Sequence, residues 1–442
     1  MKRFIKVLLS LCVLVCFVGC NSNKVTSSTA ETSPVTIPQE VDSTTEPING
    51  NNEGTEIDTE ATLENVIDET TENVTEEPTE KETATPTEPP TEHSKELTVD
   101  EILAQMTLEE KICQMFIIAP ENLMEKWNIT VADTEMINRL NKYPVGGFIF
   151  FNANIVNPDQ ITAMTNKLHN WSYEATGLPF FTSIDEEGGR VLRIGANANF
   201  SVTKVGAMST IPTKEKAYEA GNVIGKYLKE YGFNFNFAPD ADVLTESENQ
   251  VIGDRSFGSD ATIVAEFAVA YSNGLHASNI LSTFKHFPGH GATKGDTHEG
   301  FAYTSKNLEE LMEAELVPFK SAAENNVDAV MVAHISVPSI LGDNTPCSLS
   351  KYMITDILRK ELGYNGLIVT DALDMGAITN TYGDGEAAVM AVLAGNDILL
   401  KPKNFFTAYE AVLNAVKNGV ISEERINESV KRIINVKLSL KK

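Results

Sequence analysis

The 442-residue chain has little cysteine, little tryptophan and a shortage of positive charge. Of its 5 cysteines, Cys12, Cys16 and Cys20 fall at the extreme N-terminus, so Cys113 and Cys347 are all that remain for a folded domain. Two lone thiols exclude a disulfide framework and carry no zinc-ligand spacing. Lys and Arg number 35 against 62 Asp and Glu, a formal net charge of −27. No nucleic-acid partner is expected. Between residues 21 and 100 there is no aromatic residue and no arginine, and 20 acidic residues face three lysines, a net of −17. Such a Thr-, Glu-, Ser- and Pro-rich stretch buries too little apolar surface to offset its ordering entropy and is expected to be disordered. It serves as a tether or, alternatively, as a partner-binding tail. Because it holds most of the charge, the acidic balance says little about the folded domain.

The long apolar run that does exist is at the start. Met1, Lys2 and Arg3 open a basic segment, residues 4–18 are apolar except for Lys6 and Ser10, and Phe17-Val18-Gly19-Cys20 closes it. The run is too short for a spanning helix and reads as an export signal. A small residue followed by Cys resembles a bacterial lipoprotein cleavage site, with Cys20 as the lipidated first residue. Ordinary signal cleavage and an uncleaved anchor are the alternatives. The expected organisation is a signal over 1–19, a linker over 20–95 and one domain over 96–442. The location is extracytoplasmic, with a membrane contact through a lipid on Cys20.

Within the domain, Thr98 with Glu101 and Thr107 with Glu110 each fit a capping box that opens a helix. Apolar runs that read as strands recur at 113–119, 147–151, 179–185, 233–238, 280–287, 329–334, 367–370 and 397–400. Amphipathic helical segments lie at 159–176, 213–231, 263–278, 308–325, 353–362 and 386–394, and 422–438 closes the chain. Strands alternating with helices predict a (β/α)8 TIM barrel of the α/β class rather than an open doubly wound sheet. No glycine-rich phosphate fingerprint follows the first strand, and polar residues collect after many strands, as at the mouth of a barrel.

The densest chemistry lies in KHFPGHGATKGDTH, residues 285–298. Pro288, Gly289, Gly291 and Gly295 forbid regular structure, so the segment leaves the fifth strand as a loop. Lys285 and His286 at a strand end can hold hydroxyls or an anion. Asp296 and His298, two residues apart, let a carboxylate fix an imidazole's tautomer and basicity.

This motif resembles the signature of family 3 glycoside hydrolases, in their β-N-acetylglucosaminidase branch, over residues 97 to the end. The resemblance implies a barrel catalytic domain, here of the single-domain type. It also implies a retaining exo-hydrolase that removes terminal β-linked N-acetylglucosamine from cell-wall or chitin fragments. Asp371, in Thr370-Asp371-Ala372, takes the nucleophile position, and His298 with Asp296 takes the acid/base position. The segment IDEEGGRVLR resembles the family's IDQEGGRVxR, which carries Asp185 and Arg193 over as sugar ligands, with Glu186 in place of Gln beside the site. Arg255, Lys285 and His286 complete the implied sugar-binding set. The family's Asn-Pro pair before that Arg is absent.

Asp240, Asp242 and Asp254 read as loop carboxylates or supporting groups. His334 either lines the site or is a satisfied core-edge histidine, and Asp374 reads as a helix cap or surface group. No cofactor and no metal are expected, and the domain is expected to be monomeric. The competing readings are a family 3 phosphorylase or β-glucosidase, a non-catalytic sugar-binding lipoprotein, and a metal-dependent barrel hydrolase.

Overall fold

The computed structural model describes residues 97–441. The expected signal, the linker and Cys20 lie outside the described residues. The described residues open with the two capping boxes. The Thr98 hydroxyl accepts from the Glu101 amide (3.2 Å) while Glu101 accepts from the Thr98 amide (2.8 Å), and Thr107 and Glu110 repeat the pattern. Each box is worth about 1 kcal/mol and starts a helix, Val99–Gln105 and Leu108–Gln114.

Eight parallel strands come next. They are β1 (Phe116–Ile118), β2 (Gly147–Phe150), β3 (Phe181–Ile184), β4 (Phe235–Asn236), β5 (Thr283–Phe287), β6 (Ala329–Val332), β7 (Leu367–Thr370) and β8 (Leu399–Leu400). Every strand residue is buried, which is why the runs read as continuously apolar rather than alternating. The ladders run in the order β4-β3-β2-β1-β8 and β5-β6-β7. Single parallel bridges join Phe235 to Leu281 and Val369 to Ile398, linking the edges of the two ladders. The domain is thus an α/β fold built on a curled parallel sheet, and all eight expected strands occur.

Several boundaries differ from expectation. The run 113–119 is not one strand: Cys113 is a buried residue in the last turn of the helix Leu108–Gln114, and β1 starts after it. An apolar stretch buried on every side shows no periodicity by which to tell the two apart. The segment 308–325 is two helices, Leu308–Glu313 and Val317–Glu324, because Pro318 brings no amide to continue the first. The segment expected at 353–362 is a π-helix over Tyr352–Glu361. Helices Thr134–Lys142 and Phe405–Lys417 were not anticipated, although Asp133 and Asn404 cap them.

Two helices matter for the site. Lys214–Glu230 and Ala261–His276 pack backbone to backbone through glycines. A Cβ on Gly221 would lie 2.0 Å from the Tyr271 carbonyl, and one on Gly274 2.2 Å from that of Tyr218. This close approach sets Tyr227 and Tyr271 under the β3 loop.

Candidate active site

The strand ends carry a chain of alternating charges. Lys285, buried at β5, donates to Asp185 Oδ1 (2.9 Å) and lies 2.7 Å from Glu187 Oε1. Arg255 grips both oxygens of Glu187, at 2.9 and 2.8 Å, and its Nη2 lies 3.4 Å from Asp240. The same Nη2 lies 3.3 Å from His286 Nε2, while His286 Nδ1 is 2.7 Å from Asp242. An arginine can only donate, so Nε2 accepts and Nδ1 carries the proton toward Asp242. Arg193 Nη2 reaches Asp185 at 3.5 Å with its guanidinium over the Phe151 ring. The five expected sugar ligands, Asp185, Arg193, Arg255, Lys285 and His286, are therefore one connected cluster.

Glu187 is the group that organises this cluster and was not anticipated. Burial opposes its charge, but Arg255 and Lys285 outweigh burial and hold its carboxyl below the ordinary range. Burial likewise works against the Lys285 cation, and Asp185 and Glu187 reverse it and raise the pKa. Asp240 goes the other way: burial and then the Asp242 charge push it well above the ordinary carboxyl value. Cations and anions balance here, which suits neutral sugar hydroxyls.

Glu186 does not stand beside the site, where sequence places it and where it would alter the charge. Its carboxylate turns inward and accepts from the amides of Arg193 (2.6 Å), Ile194 (3.0 Å) and Gly195 (2.7 Å) and from the Tyr227 hydroxyl (2.9 Å). Tyr271 holds the backbone next door by donating to the Glu187 carbonyl at 2.9 Å. Asp254 is a surface partner of Arg190 at 3.0 Å.

Asp371 leaves β7 half-buried, its Oδ1 accepting from the Ala372 amide (2.8 Å). Burial alone would raise its pKa. The imidazoles of His334 and His286 and the Ala372 amide more than offset that, so the carboxylate is held below its usual value. An ionised carboxylate at a strand end is the state a nucleophile requires. His334 proves to be the satisfied histidine: its Nε2 donates to the Ala372 carbonyl (2.9 Å) and its Nδ1 meets the Ser348 hydroxyl (2.7 Å). It fixes the turn that presents Asp371. Asp374 is neither helix cap nor free surface group but the ion-pair partner of Lys401, and the next helix opens later, at Gly376.

His298 sits on the loop after β5 with its side chain 66% exposed, and its Nδ1 is 2.9 Å from Asp296 Oδ1. The same oxygen accepts the His298 amide at 2.8 Å. Nδ1–H thus faces Asp296 and Nε2 faces outward. Burial is the largest single influence and opposes the charge on Asp296, but the two hydrogen bonds from His298 and the nearby imidazoles together hold its pKa down. The loop is tethered from the β7 side: the Gly376 and Ala377 amides donate to the carbonyls of His298 (3.3 Å) and Thr297 (3.1 Å). A Cβ on Gly376 would lie 2.8 Å from the His298 carbonyl, so this contact needs glycine.

Among the described residues, Asp240, Asp242 and His286 bring ligand atoms within 4.8 Å of one another. His286 Nδ1 is taken by Asp242 at 2.7 Å; Asp240 Oδ2 accepts no hydrogen bond, but the Arg255 guanidinium 3.4 Å away disfavours a second cation.

The profile of the glycosyl hydrolase family 3 N-terminal domain matches residues 107–436. The chain belongs to glycosyl hydrolase family 3. Among its relatives in that family, beta-hexosaminidase A of Pseudoalteromonas piscicida is 33% identical over 340 residues, covering 71% of this chain and 56% of that protein. Beta-hexosaminidase LpqI of Mycobacterium tuberculosis is 30% identical over 344 residues, covering 76% and 84%. The solved family 3 beta-N-acetylglucosaminidase from Paenibacillus sp. str. FPU-7 superposes with a TM-score of 0.71 at 37% identity, covering 76% of this chain and 63% of that one. The chain thus spans less than two thirds of the Pseudoalteromonas and Paenibacillus relatives.

Proposed function

We propose that this family 3 member is a retaining exo-β-N-acetylglucosaminidase acting on neutral-sugar ends of oligosaccharides. The observation that carries it is the pairing of an ionised Asp371 at a strand end with a hydrogen-bonded Asp296–His298 dyad on the neighbouring loop. Asp371 attacks the anomeric carbon. His298, protonated and held by Asp296, gives the Nε2 proton to the leaving oxygen, stays neutral through the glycosyl-enzyme intermediate, and takes a proton back from the attacking water, Asp296 stabilising the imidazolium before the first transfer and after the second. Asp185, Arg193, Arg255, Lys285 and His286 hold the non-reducing sugar. The names of the Pseudoalteromonas, Mycobacterium and Paenibacillus relatives agree with this substrate.

The test is turnover of chitobiose beside aryl N-acetylglucosaminide and aryl glucoside, with and without phosphate. Asp371→Asn should show no turnover above background. His298→Ala should lose about 100-fold or more on chitobiose, the usual scale of general acid catalysis, and much less in the aryl alcohol burst. Equal losses on both substrates would remove His298 from the acid role.

We further read the two ladders as one closed (β/α)8 barrel, supported by the bridges at both seams. We assign residues 1–19 to a signal, 20–95 to a tether and 96–442 to the catalytic domain, with Cys20 lipidated and the enzyme held outside the cytoplasmic membrane. Cys20→Ala should move the protein from the membrane to the soluble fraction, and its retention in the pellet would argue for an uncleaved anchor.

A further inference from the structure

A glycosidase must hold what it releases, and the leaving oxygen receives its proton from the acid. The leaving sugar therefore belongs in a cavity walled by the loop that carries that acid. A cavity beside that loop meets this condition. It has a volume of ≈ 550 Å³ and lies between the His298 loop, the β6 loop and the start of the helix after β7. That size fits a single sugar ring with water. Resting on the proposed activity, we infer that this cavity is the leaving-group subsite and that it selects an uncharged second sugar.

Its walls supply both parts of sugar recognition. Phe301, three residues beyond His298, is 51% exposed and stacks on Tyr303 at 5.5 Å and 22°. Such a ring presents a flat apolar face to a pyranose. Tyr382 also lines it. Asn344, Thr345 and Asn380 offer amide and hydroxyl groups to the sugar hydroxyls. Asn380 is also tied to the acid loop, donating to the Glu299 carbonyl at 3.4 Å.

The charge of the walls sets the selectivity. No lysine or arginine lines the cavity. His334 touches it but has both ring nitrogens engaged. Asp343 is the one carboxylate, held in place by accepting the Thr345 amide at 2.9 Å. A leaving sugar that carries a carboxylate would meet repulsion with no compensating cation.

A second cavity at the strand ends, ≈ 600 Å³, differs on both counts. Trp127, Phe151, Lys401 and Lys403 line it together with Lys126, Glu121, Glu125 and Asp374, and no residue of the acid loop does; Lys401 is paired with Asp374 and Lys126 with Glu135. If the leaving sugar lay there, Lys403, the lining lysine with no ion pair among the described residues, would favour a carboxylate. The charge preference of the enzyme therefore reports which cavity is used.

The experiment uses the full chain and three substrates: methyl β-N-acetylglucosaminide, chitobiose, and the β-1,4 disaccharide whose second ring bears a carboxylate-bearing ether. Wild-type kcat/KM should be about tenfold higher for chitobiose than for the carboxylated disaccharide at low salt, and the gap should shrink as salt screens it. Asp343→Asn should narrow the gap about threefold, the scale of an exposed charge pair, by raising only the carboxylated substrate. Phe301→Ala should cost about tenfold on chitobiose, the scale of one aromatic contact, while the methyl glycoside changes less than about twofold. Equal or faster cleavage of the carboxylated disaccharide, with sensitivity to Lys403→Ala in place of Asp343→Asn, would overturn the assignment. So would equal losses on both neutral substrates in Phe301→Ala, which would make that ring a prop for the acid loop. If the wild type cleaved none of the three, the activity itself would fall, and the subsite with it.

Discussion

Glu186 and Glu187 are adjacent, identical in type and opposite in role. One turns away from the cluster into four donors; the other is gripped by Arg255 and Lys285. Sequence carries no sign of which is which, because the alternation depends on where β3 ends and the β3 turn begins. The charged residues that end strands, Asp185, Lys285 and Asp371, were legible because a charge after a wholly apolar run has no other place to go. Glu187 was not, since a second glutamate before two glycines looks like surface. Substitution tests the difference. Glu186→Gln removes a charge that faces the Tyr227 and Tyr271 layer, away from the sugar. Its kcat/KM on chitobiose should stay within about threefold of wild type, a change too small to be a lost transition-state contact. A tenfold fall would place that carboxyl at the sugar after all.

At the scale of elements, the strands were readable and the loop contacts were not. Each strand is buried on both faces and bounded by polar turns, so its existence is set by local composition. The helix starts at Thr98 and Thr107 were equally local, each fixed by a pair of residues three apart. The misreadings came where local signals compete. An apolar run that continues from a helix into a strand hides the junction at Met115. A proline a few residues past a helix end, Pro318, was passed over as part of one long helix. The docking of the Asp296–His298 loop rests on the amides of Gly376 and Ala377, far onward in the chain, and no pattern within the loop announces it. That contact turns a flexible glycine-rich segment into a wall shared by the dyad and the proposed leaving-group subsite.

The last described helix, Glu423–Ser439, packs on the domain, and there a lysine without a carboxylate partner among the described residues lies in the core. Lys437 is buried, its Nζ donating to Gln114 Oε1 and to the Gly146 carbonyl, both at 2.8 Å, and lying 4.8 Å from the centre of the Phe181 ring. On an amphipathic helix such a lysine reads as surface; only the assembled sheet shows that it plugs the space between the helix Leu108–Gln114, Gly146 and β3. Burial lowers its pKa from 10.5 to about 7. Below pH 7 the lysine is protonated in both folded and unfolded chains, and the burial cost is constant. Between about 7 and 10.5 the unfolded chain keeps a proton that the folded chain has released, so folding becomes more favourable as pH rises. The gain is about 1.4 kcal/mol per pH unit through the middle of that window. Lys437→Met lacks the titration. It should be offset at neutral pH by the loss of a donor to Gln114, yet its stability should not follow that rise. Urea unfolding of both proteins at pH 7, 8 and 9 measures the difference in slope. Parallel slopes would mean that Lys437 stays charged in the folded chain, held by two carbonyl oxygens and an aromatic face, and that this helix is fastened by a buried cation rather than by a neutral amine.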